Sequence, residues 1–139
     1  MSLMHVLFLG PFGFDRDGSP VFIDRIGLLD PAGVLRHVPE IEEILEVEIS
    51  RLEYLQALTD VCVARDRKPH WGVTIIMDLT GLGFHHLHRG GLNALKHILQ
   101  QSDTHYPERA KRILIINAPM VFAAIWKIVQ HFLDPYVHF

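Results

Sequence analysis

The sequence predicts an α/β domain built on a sheet with parallel neighbouring strands. Apolar, strand-like runs at 20–27, 73–79 and 112–119 alternate with helical runs at 40–63, 92–101 and 120–133. Each interval between strands is long enough for a helical crossover, which parallel neighbours require. The two later strands are almost unbroken apolar runs, as strands covered on both faces are. Strand–helix–strand order further implies right-handed crossovers.

The elements follow in chain order. Residues 1–12 are an apolar segment without a basic start or a small-x-small cleavage site, and Gly10-Pro11 interrupts it, so it does not read as a signal peptide. The domain proper is expected over 13–139. Residues 13–18 form a polar turn centred on Asp17-Gly18. Val21, Phe22 and Ile23 are β-branched or aromatic and mark the first strand. In the connection that follows, Asp30-Pro31 initiates a turn, and Val34, Leu35 and Val38 suggest a short helical turn.

From 40 to 63, Ile41, Leu45, Ile49, Leu52, Leu55 and Leu58 recur at three- or four-residue steps. Glu42, Glu43, Glu46, Glu48, Arg51 and Glu53 occupy the rest of this helix and read as a solvated acidic face. Residues 64–72 are a charged linker, and Lys68-Pro69 stops the helix. The strand at 73–79 ends near Asp78, and a loop over 81–91 leads to a helix with Leu92, Leu95 and Leu99 on one face. A second polar connection precedes the strand at 112–119, and Met120, Ala124, Ile128 and Phe132 lie a turn apart on the last helix.

Composition narrows the function. A chain of 139 residues fits one domain, and 49% hydrophobic with 21% charged residues excludes wholesale disorder. The single cysteine, Cys62, excludes an intrachain disulfide framework and a multi-cysteine zinc site. A net charge of −3 is no footprint for nucleic acid. No run reaches the roughly 20 apolar residues of a spanning helix.

The motifs that suggest chemistry are incomplete. Gly81 and Gly83 follow a strand, but a dinucleotide loop needs a third glycine where this chain has His86. His85, His86 and His88 form an HHxH cluster, yet no carboxylate lies close by in sequence until Asp103, so solvated loop histidines are expected and no metal. Asp78 ends a strand where a catalytic carboxylate often sits, but Thr80 is the only hydroxyl beside it, and a loop-bracing role is expected. Lys127 snorkels from an apolar helix. No catalytic constellation stands out, and so apolar an interior can be a solid core or a greasy cavity.

Four segments then resemble a known family in order and at compatible spacing. GFDRDGSPVFIDRIGLLDPAG is similar to the family's opening turn, strand and connection, and VTIIMDLTGLGFHHL to its central strand and loop. YPERAKRILIINAP and VFAAIWKIVQHFLDP are similar to its "NYPE…INAP" segment and its "F…W…FLDP" helix. The chain thus resembles the CRAL-TRIO lipid-binding domain over residues 13 to 135.

That resemblance implies a mixed, mostly parallel sheet flooring a hydrophobic pocket walled by helices, holding one lipid for intracellular transfer or presentation. The chain is therefore expected to bind and exchange a ligand and not to be an enzyme, and to need no cofactor. Phosphatidylinositol or another phospholipid is the ligand it favours. It further implies a transient membrane partner and a cytoplasmic, peripherally membrane-associated protein. Phe22, Ile23, Val73, Ile75 and Met77 become expected lipid contacts, and Glu108 matches an acidic residue that helps hold an inositol head group. Val73 and Ile75 stand where phosphatidylcholine binders carry hydroxyls, which argues against choline-phosphate recognition. The family's N-terminal lobe and C-terminal gate are missing, so an open pocket and self-association through an exposed edge are expected. A second reading keeps the fold as a lipid-free interaction module or a non-functional truncated product.

Overall fold

The computed structural model describes residues 11–105 and 110–133. Its sheet has the strand order β1 (Pro11–Phe14), β2 (Pro20–Asp24), β3 (Val73–Asp78) and β4 (Ala110–Ile116). β1 is antiparallel to β2, and the β2–β3 and β3–β4 pairs are parallel. The helices are α1 (Pro31–His37), α2 (Ile41–Asp66), α3 (Arg89–His105) and α4 (Phe122–Leu133). Two 3-10 turns cover Ile26–Leu28 and Phe84–Leu87.

β1 departs from the sequence reading, which assigned its residues to an apolar lead-in and a turn. Its strand character comes from pairing with β2, a tertiary effect that Pro11 and Gly13 conceal locally. The β1–β2 turn is built on Asp15. Asp15 Oδ1 accepts the main-chain N–H groups of Asp17 and Ser19, each at 2.9 Å, and Gly18 takes the left-handed conformation at φ 87°. Asp15 Oδ2 accepts from Thr74 Oγ1 on β3 at 2.9 Å and from Lys111 Nζ on β4 at 3.1 Å. One carboxylate therefore ties the hairpin to two further strands. Burial opposes ionisation of Asp15, but the bonds from Lys111, Ser19 and Thr74 outweigh it and bring its pKa down to about 2.

Local signals set the helix ends. Asp30 precedes Pro31 at the first position of α1, where the missing N–H costs nothing. α2 stops at Arg67, whose left-handed backbone (φ 54°) lets its N–H reach the Val63 carbonyl. The core lies where α2 meets the sheet: Phe22, Leu52, Leu55 and Val73 are buried together, with Leu58 and Ile75 packed against them.

The buried stripe of α2 differs from the expected one in its first half. Ile44, Glu48, Leu52, Leu55, Thr59 and Cys62 are buried, whereas Ile41, Leu45 and Ile49 are only partly covered. The stripe passes through Glu48 because that carboxylate meets a cation instead of water. β4 corrects a second expectation. It is as apolar as a doubly covered strand, yet Ile113, Leu114, Ile115 and Ile116 are all exposed among the described residues.

Candidate functional site

Pairing register defines the two faces of the sheet, because residues aligned across parallel strands point the same way. Phe22, Ile75 and Ile113 form one row across β2, β3 and β4, and Asp24, Met77 and Ile115 form the next. α2 packs on the β2 end of this face through Leu52 and Leu55. Coverage falls away along each row. Phe22 and Asp24 are buried, Ile75 and Met77 are half-buried, and Ile113 and Ile115 are 53% and 48% exposed.

The right-handed crossover rule puts α3 on the same side as α2, and the two helices are in contact. α3 also packs on α1 and α4, but it touches the strands only marginally. The candidate cleft is therefore this face of β3 and β4, an apolar floor beside α2 on which α3 packs little. The opposite face is a poorer candidate. There Ile23, Ile76 and Leu114 share a row, but Thr74, Arg112 and Asp78 interrupt the apolar surface.

A buried charge cluster stands at the inner end of the Asp24 row. Arg51 Nη2 donates to Asp24 Oδ2 at 2.9 Å, and Arg51 Nη1 donates to Glu48 Oε1 at 3.3 Å. All three side chains are close to nine-tenths buried. Desolvation pushes both carboxyl pKa values up, against the pull of the guanidinium, and Asp24 adds to the rise at Glu48. Asp24 Oδ1 is buried without a hydrogen-bond partner among the described residues.

A second polar constellation lies at the other end of the strands. His70 Nδ1 shares a hydrogen bond with Ser19 Oγ at 2.9 Å, and His70 Nε2 one with Asp66 Oδ2 at 2.8 Å. This is the hydrogen-bond order of a serine nucleophile, its base and an orienting acid. Ser19 is 1% exposed, however, and its main-chain N–H is held by Asp15. A substrate carbonyl cannot reach that hydroxyl, so the row fastens the β1–β2 turn to the loop after α2. An open hollow of about 230 Å³ beside it is edged by Lys68, Trp71 and Lys111.

The other sequence candidates have structural roles here. Asp78 Oδ1 accepts from Thr80 N at 3.0 Å, Thr80 Oγ1 at 2.8 Å and Asn117 Nδ2 at 3.1 Å, bracing the exits of β3 and β4. Those bonds, the Thr80 main chain first, lower its pKa. His86 Nδ1 accepts from the Gly83 N–H, and its Nε2 lies 3.2 Å from the Ile26 carbonyl. Among the described residues, no three His, Cys, Asp or Glu side chains are grouped to hold a metal ion. Nor is any described helix long and apolar enough to cross a membrane.

Of the expected lipid contacts, Phe22, Val73, Ile75 and Met77 share the cleft face, with Phe22 and Val73 packed under α2. Ile23 points to the other face. Glu108 lies outside the described residues. The sequence reading missed Asp24, Glu48 and Arg51. The available signal was positional: Asp24 alternates with Phe22 on β2, and Glu48 is one turn from both Ile44 and Leu52.

Comparison with known proteins bears on this architecture. The profile of the CRAL/TRIO domain matches residues 5–138. "Protein real-time" of Anopheles gambiae is 38% identical over 120 residues, covering 86% of this chain and 17% of that protein. The Arabidopsis thaliana "Phosphatidylinositol/phosphatidylcholine transfer protein SFH14" is 33% identical over 128 residues, covering 91% of this chain and 22% of its own. The chain thus spans about a fifth of the length of these curated relatives. The crystal structure of Sfh5 superposes with a TM-score of 0.70 at 20% identity, over 96% of this chain and 44% of that one, and so shares the fold. With the profile running through every described strand and helix, the chain belongs to the CRAL/TRIO domain family.

Proposed function

We propose that the cleft binds one hydrophobic lipid for transfer or presentation, without bond-making chemistry. The observation that carries this reading is the apolar floor from Ile75 and Met77 to the exposed Ile113 and Ile115. Each methylene moved from water onto such a floor contributes roughly 0.8 kcal/mol, so an acyl chain supplies its own driving force. The name of the Arabidopsis relative supports a phospholipid as cargo, phosphatidylinositol among them.

Native mass spectrometry of the chain purified without detergent tests the reading. A compact ion carrying one added lipid mass is expected, and Ile115→Asp should lose that adduct. A compact, empty wild-type ion would overturn it and favour a lipid-free interaction module.

Exchange also needs contact with a membrane surface. The loop after α2 supports it: Trp71 is 77% exposed, and Arg65, Arg67 and Lys68 precede it. Arg65 also lies over the exposed Phe14 ring, 4.5 Å from its centroid. Exposed aromatic and basic side chains together suit the interface of an anionic bilayer. Lys68→Glu should weaken co-sedimentation with phosphatidylserine-containing vesicles by about fivefold or more. An unchanged vesicle affinity would remove this loop from the contact.

A further inference from the structure

The register places a polar group at a defined point beside the cleft. Asp24, Met77 and Ile115 lie in one row, so an acyl chain over Ile115 and Met77 has its next neighbour in Asp24. That neighbour is unusual for a lipid site. Asp24 is 5% exposed, and its Oδ1 has no hydrogen-bond partner among the described residues. A buried acceptor left in this state is costly and is relieved by any donor that reaches it. Around it, two carboxylates face one guanidinium, since Arg51 bonds both Asp24 and Glu48. The cluster therefore sets two carboxylates on one guanidinium, with Asp24 Oδ1 as an acceptor left over among the described residues. Met77 separates Asp24 from the open floor, and a thioether chain is adaptable enough to move aside for a head group.

We propose that Asp24, held by Arg51 and Glu48, selects the polar end of the ligand: a hydroxyl or ammonium donor is accepted there and an anionic carboxylate is rejected. The inference rests on the cleft being the lipid site. A hydroxyl donates to Oδ1 and completes its hydrogen bonding. A carboxylate offers only acceptors and would set them against the buried Asp24 Oδ1, itself an acceptor, in a low-dielectric setting. An inositol ring satisfies the demand through its hydroxyls. A phosphate would have to sit away from this row, nearer the solvent side of the cleft.

Three ligands with one chain and different heads test this: oleyl alcohol, oleylamine and oleate, each displacing Nile red from the wild-type chain at about pH 7.5. Oleyl alcohol and oleylamine are expected to bind at least about tenfold more tightly than oleate. Asp24→Asn, which keeps the shape but removes the charge, should shrink that gap to about threefold or less. Glu48→Gln is expected to narrow the gap as well, and it keeps the test open should Asp24→Asn fail to fold. Oleate binding as tightly as oleyl alcohol to the wild type overturns the inference. So does an undiminished gap in a folded Asp24→Asn chain. If none of the three ligands displaces the dye, the cleft itself is not the lipid site, and the broader reading falls with it.

Discussion

Arg51→Ala is expected to destabilise the chain by about 3–5 kcal/mol near neutral pH. The guanidinium is the shared partner of Asp24 and Glu48, and all three side chains are almost fully buried between α2 and β2. Its removal leaves two carboxylates in a buried site without the guanidinium they share. The effect should depend on pH, with a sign opposite to that of an ordinary salt bridge. Burial raises both carboxyl pKa values in the fold. The neutral forms are therefore favoured by folding. Their stabilisation is fullest below the unfolded values and is lost as pH rises through the raised ones. Losing the guanidinium raises them further, so the cost of Arg51→Ala should be largest at about pH 7.5 and shrink toward about pH 5. Urea unfolding of both chains at the two pH values measures this. A pH-independent difference, or one below about 1 kcal/mol, would mean that the cluster is hydrated and does not behave as a buried triad.

The triad also need not be there for stability. An apolar trio of matched volume at Asp24, Glu48 and Arg51 is often as stable as a buried ion cluster, or more so. A fold that needed only a packed α2–β2 contact could continue the Leu52, Leu55 and Phe22 core through these positions. On the proposal made above, these charges are kept for the polar end of a ligand.

The same cluster shows why part of the site was illegible in the sequence. Strand and helix order could be read because long apolar runs set it locally: β3, β4 and α2 all fall close to their expected positions. Asp78 could be read as a brace because its partner Thr80 is two residues away. Glu48 and Arg51 could not. On a helix bearing Glu42, Glu43, Glu46 and Glu53 they look like more of a solvated face, and only Asp24, 27 residues before Arg51, makes them interior. β1 was hidden for a like reason, since its pairing with β2 is not written in its own four residues. The exposure of β4 was hidden too. Apolar content reports what a strand prefers to be covered by, not whether a helix presses on it or stands off.

The standing-off of α3 depends on how the chain leaves β3, and Gly27→Ala should show it. Gly27 is buried in the 3-10 turn after β2, and a Cβ there would overlap the Thr80 carbonyl and come within 2.7 Å of the Leu79 carbonyl. Gly81 approaches from the other side: its φ is 90°, and a Cβ on it would lie 2.9 Å from the Gly27 carbonyl oxygen. Two stretches of main chain thus cross at contact distance, and neither can yield by rotating a side chain. The methyl must push the 79–82 loop outward, against the bonds that hold Thr80 to Asp78 and Asp78 to Asn117. Overpacking against backbone places the expected cost at about 3 kcal/mol. The displacement should also reach the cleft, because this loop leads into the Phe84–Leu87 turn and on to α3. Gly27→Ala should therefore lower the unfolding midpoint and weaken Nile red binding together. Gly33→Ala is the control. Its Cβ would meet only the mobile end of Asp30 and the tip of Arg36, so it should change neither by a comparable amount. Equal stability of Gly27→Ala and wild type would mean that the two main chains do not cross as closely as this geometry requires.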